Sequence, residues 1–287
     1  MRRTSLLFVV LGLVLAACGG DDTVQTTTTT GPGSTVTTGD IGVPANGDIL
    51  LTLTSEGGFA PVESHLDRMP RYVLLADGTL YYQGPVPAIF PGPLLPNVQV
   101  TEVTDAQMDE IRELVEELGL PGIDELIDDS NAEMVADATT EFITYYDENG
   151  THRLGVYALG ITQGGGSTER ILASELVQVL DEATATGEAR PYSPDRLQVA
   201  AGPLIPFDDV DGGLQPWPLE TGFTDMPDWA MDWRCVEVEG DEVGRLIDLF
   251  SEANQATRWD TGDQELTIKA RPLLPGEAAC GGAPQGG

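Results

Sequence analysis

Thr104-Asp105-Ala106-Gln107-Met108-Asp109-Glu110-Ile111-Arg112-Glu113-Leu114-Val115-Glu116-Glu117-Leu118-Gly119-Leu120-Pro121 carries one helix together with its start and stop signals. Thr104 and Gln107 have the spacing of a capping box, in which each side chain satisfies the other's backbone N–H. Met108, Ile111, Leu114, Val115 and Leu118 recur at helical spacing and make an apolar stripe. Asp109, Glu110, Arg112, Glu113 and Glu116 fall on the wet side. Gly119 and Pro121 end the helix. The same stripe returns 135 residues later as Val243, Leu246, Leu249, Phe250 and Ala253, in a helix predicted over 241–254.

Strands surround both helices. Ile49, Leu51 and Leu53 alternate with Leu50, Thr52 and Thr54, the pattern of a half-buried strand. Residues 71–76 and 79–83 flank Asp77-Gly78, a dipeptide that accepts the positive φ of a two-residue hairpin. Pro85, Pro87, Pro91, Pro93 and Pro96 predict extended irregular chain, since proline fixes φ and has no N–H. A second hairpin is expected over 141–146 and 151–159. A second helix over 169–183 should bury Ile171, Leu172, Leu176, Val179 and Leu180. After residue 190 come a strand at 234–238, the 241–254 helix, and a hairpin formed by Trp259 and residues 266–270. Strand, helix and hairpin thus occur twice. The expected fold is α+β, two related units of antiparallel sheet with packed helices, over 48–190 and 191–287.

The first 47 residues read differently. Arg2-Arg3 precede an apolar stretch from Ser5 to Val14, too short to cross a hydrocarbon core of about 30 Å comfortably. This is the pattern of a secretory leader. Leu15-Ala16-Ala17-Cys18 resembles the lipobox of bacterial lipoproteins. The resemblance implies cleavage after residue 17 and a diacylglyceryl group on the Cys18 sulfur, with two acyl chains holding the protein on the outer face of the cell membrane. Residues 18–47, with the five threonines Thr26 to Thr30, have too few apolar side chains to offset their ordering entropy and are expected to be a disordered tether reaching about 30 Å.

The composition narrows the partners. There are 47 acids against 14 bases, a formal charge of −33, which repels phosphate backbones, so no nucleic-acid partner is expected. With Cys18 lipidated, Cys235 and Cys280 remain, and an even pair in an oxidising compartment predicts a disulfide. Free thiols are the alternative. No metal or other cofactor is expected: His65 and His152 are the only histidines, and no Cys–His spacing suits zinc. The Gly160–Ser167 loop imitates a phosphate cradle but has Gly166 where lysine is required. Phe207–Gly213 fails as a calcium loop because Phe207 and Pro218 fall on ligand positions. No nucleophilic triad or distinctive carboxylate pair stands out. Trp217, Trp229 and Trp233, set among prolines, are candidate binding residues, for sugar stacking or as partner anchors, with core packing as the plainer role.

Gly57-Gly58-Phe59-Ala60, followed by the Thr104–Leu118 helix, resembles the emfourin-type inhibitors of metalloproteases. That resemblance implies a peptidase-inhibitor activity. The expectation is therefore a non-enzymatic, membrane-anchored module that binds an envelope protein or glycan. A carboxylate-based extracytoplasmic hydrolase is the alternative.

Overall fold

The computed structural model describes residues 49–130, 135–161, 166–207 and 210–281. The expected leader, the expected lipid attachment at Cys18 and the expected tether lie outside the described residues. The elements run β1 (Ile49–Gly57), β2 (Tyr72–Leu75), β3 (Thr79–Gln83), β4 (Val98–Glu102), α1 (Asp105–Glu117), β5 (Glu125–Asp128), β6 (Thr139–Asp147), β7 (Gly150–Tyr157) and α2 (Thr168–Thr186). They continue as β8 (Arg190–Pro191), β9 (Arg196–Pro203), β10 (Leu214–Pro216), β11 (Asp228–Ala230), β12 (Trp233–Glu239), α3 (Asp241–Ser251), β13 (Arg258–Asp260) and β14 (Glu265–Pro272).

The fold is α+β. An eight-stranded sheet has the order β5-β7-β6-β1-β2-β3-β4-β8, and a six-stranded sheet has the order β10-β13-β14-β9-β12-β11. Pairing is antiparallel except at one end of each sheet, where β5–β7 and β10–β13 are parallel. Strand, helix and hairpin recur as expected. In the first sheet the leading hairpin strand β6 joins β1, whereas in the second the trailing strand β14 joins β9.

Helix α1 begins at the expected capping box, with Gln107 N–H donating to Thr104 Oγ1 at 3.3 Å and Thr104 N–H to Gln107 Oε1 at 3.1 Å. Its stripe packs with α2 on Leu51, Leu53, Leu74, Leu80, Ile143 and Leu154 of the first sheet. Helix α3 lays Val243, Leu246 and Phe250 on Leu197, Val199, Leu266 and Ile268 of the second, where Phe250 meets the buried Trp259 edge-on. Burying each such side chain stabilises the fold by roughly 1.5–3 kcal/mol.

One helix face differs from expectation. Ile171 is 51% exposed, and the buried side of α2 runs through Arg170, Ala173, Leu176, Val177, Leu180 and Ala183. Arg170 turns the helix this way. Its guanidinium is buried 3.6 Å from Asp128 and donates to the carbonyls of Ala158 (3.2 Å) and Tyr157 (2.8 Å). Burial raises the Asp128 pKa, but hydrogen bonds from Ser130 and Ser167 and the Arg170 charge outweigh it and hold the carboxyl below its ordinary range.

The faces opposite the helices meet. Strand alternation turns Thr52 and Thr54 of β1, Gln198 and Ala200 of β9, and Thr267, Lys269 and Arg271 of β14 away from the helical cores. Between the sheets lie the link from β1 to β2, with Leu66 buried on Ala200, Trp233 and Cys235, and the segment after β14, with Leu274 on Ile49, Val73, Val98 and Tyr146.

Arg170→Met would leave the Asp128 charge buried without its cation, and a loss of about 3–5 kcal/mol is expected in urea denaturation. Asp128→Asn added to it should restore part of that loss. A single variant within about 1 kcal/mol of the parent would mean that the pair behaves like a surface ion pair.

Candidate functional site

A cavity of about 230 Å³ lies between the two inner faces. Ile49, Thr52 and Thr54 of β1 and Val73 of β2 line it from one side, and Gln198 of β9 and Arg271 of β14 from the other. His65, Leu66, Arg68 and Met69 of the β1–β2 link close one flank, and Pro275, Glu277, Ala278, Cys280 and Gly281 close the other.

That closing segment is tied down repeatedly. Cys280 is disulfide-bonded to Cys235 of β12, with Cα atoms 5.7 Å apart, and the Cys280 N–H donates to Gln198 Oε1 at 2.7 Å. Trp229 Nε1 donates to the Gly281 carbonyl (3.0 Å) and Arg196 Nη2 to the Glu277 carbonyl (3.0 Å). The disulfide predicted from cysteine arithmetic is thus part of a cavity wall.

Two arginines face this space. Arg271 is 6% exposed. Its Nη1 donates to Glu277 Oε2 at 2.8 Å, and the same oxygen accepts from the Leu274 N–H at 2.8 Å. The Arg271 Nε–H finds no acceptor among the described residues. Arg68 donates to the Ser55 carbonyl (3.1 Å) and the Gly57 carbonyl (3.4 Å) at the end of β1. Of the acids on the wall, Glu277 is paired with Arg271 and Glu56 with Arg153.

The tryptophans singled out by sequence do not share one surface. Trp217 stands on the α3 side, edge-on to Phe223, with Nε1 donating to the Thr221 carbonyl at 2.8 Å. Trp233 is buried beside Cys235 on the inner face, its ring so close to Gly202 that a Cβ there would lie 2.3 Å from Cδ2. Trp229 alone lines the cavity. Thr162–Gly165 of the glycine-rich loop and Asp208–Asp209 of the acidic loop lie outside the described residues. Ser167 is the N-cap of α2, accepting from the Arg170 N–H at 3.1 Å.

Two apolar features stand on the surface. Phe59 is 95% exposed, beyond Gly57 and Gly58 at φ +72° and +77°, where glycine is favoured. Pro85, Val86, Pro87, Ala88, Ile89 and Phe90 are all exposed in succession. The loop that carries them is held at both ends. Gly84 N–H donates to Asn97 O (2.8 Å), while Leu94 N–H and Gln255 N–H exchange bonds between Gly92–Leu94 and the end of α3. Phe90 leans edge-on against Phe207, centroids 5.4 Å apart.

No family model matches the chain, and neither the curated proteins nor the solved structures contain a match to it. No described helix is long and apolar enough to cross a membrane.

The two histidines differ in electrostatic setting. His152 is buried, with Nδ1 2.7 Å from the Ile123 carbonyl and Nε2 3.1 Å from Asp147 Oδ1. The Ile123 carbonyl raises its pKa most; burial opposes, and Asp147 adds to the rise. His65 is lowered by burial and then by the Arg68 charge. In an NMR titration His152 should have its midpoint above, and His65 below, the ordinary value of about 6.5. His152 therefore stabilises the fold fully below that value, and its contribution fades as pH rises through the raised folded-state midpoint. The reverse order of midpoints would contradict the described hydrogen bonds.

Proposed function

We propose that this chain is an extracytoplasmic lipoprotein, anchored through Cys18, that acts as a non-enzymatic interaction module for another envelope protein. The observation that carries the reading is the Pro85–Phe90 loop: six consecutive apolar residues, all exposed, on a chain otherwise dominated by acids. Monomeric surfaces seldom keep such a run in water unless something covers it in use. Its anchoring at Gly84–Asn97 and Gly92–Gln255 limits the ordering entropy lost on docking. A partner with an apolar groove fits these side chains, and the acidic surroundings favour a basic rim on that partner.

A second reading, peptidase inhibition, is favoured by Phe59, which stands almost fully exposed at the Gly57–Ala60 tip. An exposed aromatic on a turn is suited to entering a protease's specificity pocket.

Three measurements separate these claims. Cys18→Ser is expected to shift the protein from the membrane fraction into the medium, and continued membrane attachment would refute the lipid anchor. Ile89→Ser with Phe90→Ser should lose at least about ten-fold in affinity for whichever envelope protein is cross-linked to the parent chain, since each exposed anchor contributes about 1–2 kcal/mol. An unchanged partner profile would refute docking through this loop. For the inhibitor reading, the parent chain should slow a thermolysin-type metalloprotease and Phe59→Ala should not. Equal proteolysis with and without the parent would discard it.

A further inference from the structure

We propose that the cavity between the sheets is a binding site for a small monocarboxylic acid with a slender apolar body. The carboxylate would lie on the free edge of Arg271, under the field of Arg68. Nothing in the proposal depends on the surface loops.

The first ground is the way Arg271 is bonded. A guanidinium offers five N–H donors in a planar fork and recognises carboxylates through two parallel bonds. Glu277 occupies only Nη1, and Nη1 also faces the Pro272 carbonyl at 3.4 Å. Nε–H and the neighbouring Nη2, the edge that binds a carboxylate side-on, have no acceptor among the described residues. Arg271 is more than nine-tenths buried and lines the cavity, so an unfilled edge there carries the desolvation cost of a donor without a partner.

The second ground is charge. Every Lys and Arg among the described residues has a carboxylate oxygen within 4.0 Å except Arg68. In a chain with 47 acids for 14 bases, a base left unpaired is unusual, and this one stands on the cavity wall. The acids on the wall are already matched, Glu277 by Arg271 and Glu56 by Arg153. The remaining balance is one positive charge. A monoanion neutralises it, a neutral molecule leaves it uncompensated, and a dianion overshoots in a protein whose overall field already repels anions.

The third ground is size and lining. At about 30 Å³ per water-sized unit, the cavity holds roughly eight such units, the bulk of an acid with about eight to ten non-hydrogen atoms. Ile49, Leu66, Met69, Val73 and Pro275 provide an apolar wall for the body of such an acid. Octanoate meets these requirements.

The test is calorimetric titration of octanoate into the whole chain carrying Cys18→Ser, which dispenses with detergent. Octylamine, octanol and the dicarboxylate suberate serve as comparators. Saturable one-to-one binding of octanoate, with each comparator at least about ten-fold weaker, is expected. Arg271→Gln should weaken octanoate at least about ten-fold through loss of the two charge-assisted bonds. Because that variant strands Glu277, Arg271→Gln with Glu277→Gln is measured beside it, and thermal melting checks that both fold. Thr54→Phe, which fills the cavity from β1 and leaves both arginines in the sequence, should abolish binding. Absence of octanoate binding at millimolar concentration, equal binding of octanol, or undiminished binding by a folded Arg271 double variant would each overturn the proposal.

Discussion

The two sheets hold together through a mixed layer, apolar around Leu66 and Leu274 and polar between them, and Gln198 is its central tie. Its Nε2 donates to the Leu66 carbonyl in the link after β1, and its Oε1 accepts from the Cys280 N–H in the segment after β14. One amide thus satisfies backbone groups from two crossing segments, neither of which pairs with a sheet at that point. An amide in a dry layer holds its partners more firmly than in water, and losing it would leave a donor and an acceptor stranded together. Thr52, Thr144, Thr267 and Arg271 are buried as well, so the protein keeps its apolar cores under the helices and gives its inner faces hydrogen-bonding groups. The cavity lies where the two crossing segments part, between the apolar clusters around Leu66 and Leu274.

Scarcity of positive charge imposes the second constraint. With so few bases, most of them hold particular elements: Arg153 bridges Glu56 of β1 and Glu125 of β5, Arg196 joins Glu237 of the neighbouring strand, and Lys269 reaches Asp67 in the inter-sheet link. Exposed pairs of this kind contribute up to about 1 kcal/mol each. Their combined effect is to place cations where strands meet links, which offsets the self-repulsion of an acidic chain at its joints. Arg68 departs from the pattern by donating only to carbonyls at the end of β1, and that departure marks the cavity as unlike the other joints.

Sequence reading recovers what amphipathicity encodes. The stripe of α1, its capping box, the stripe of α3, the hairpins around Asp77-Gly78 and Asp147–Gly150 and the cysteine pair are all local patterns, and each is present. Strand β9, the centre of the second sheet, escapes the same reading. Leu197 to Gly202 are buried without interruption because α3 covers one face and the first sheet's side covers the other, so no alternation survives. Ala200, Ala201 and Gly202 also lack the branched side chains that announce strands, although Gly202 is required beneath the Trp233 ring. On α2, Leu176, Val179 and Leu180 are buried as expected; Ile171 is not, although it looks like a core residue and Arg170 does not. Tertiary partners reverse them. The cavity residues were illegible for a related reason: Thr52, Arg68 and Arg271 come from distant parts of the chain, and no spacing rule connects them.

The segment after β14 brings these constraints together. Its last backbone bond to the sheet is from the Leu273 N–H to the Arg196 carbonyl, and beyond the buried Leu274 its position rests on the Cys235–Cys280 bond, Gln198, Trp229, Arg196 and the Arg271–Glu277 pair. Closing the loop from 235 to 280 stabilises by up to about 4 kcal/mol in the chain-entropy model. Apart from the Arg271–Glu277 ion pair, the remaining ties are single hydrogen bonds worth about 1 kcal/mol each. A wall built this way can release without separating a single strand pair, whereas opening the cavity from the β1 or β14 side would mean breaking full ladders. The covalent tie that secures the fold's last described segment is thus also part of the wall of the space between the sheets.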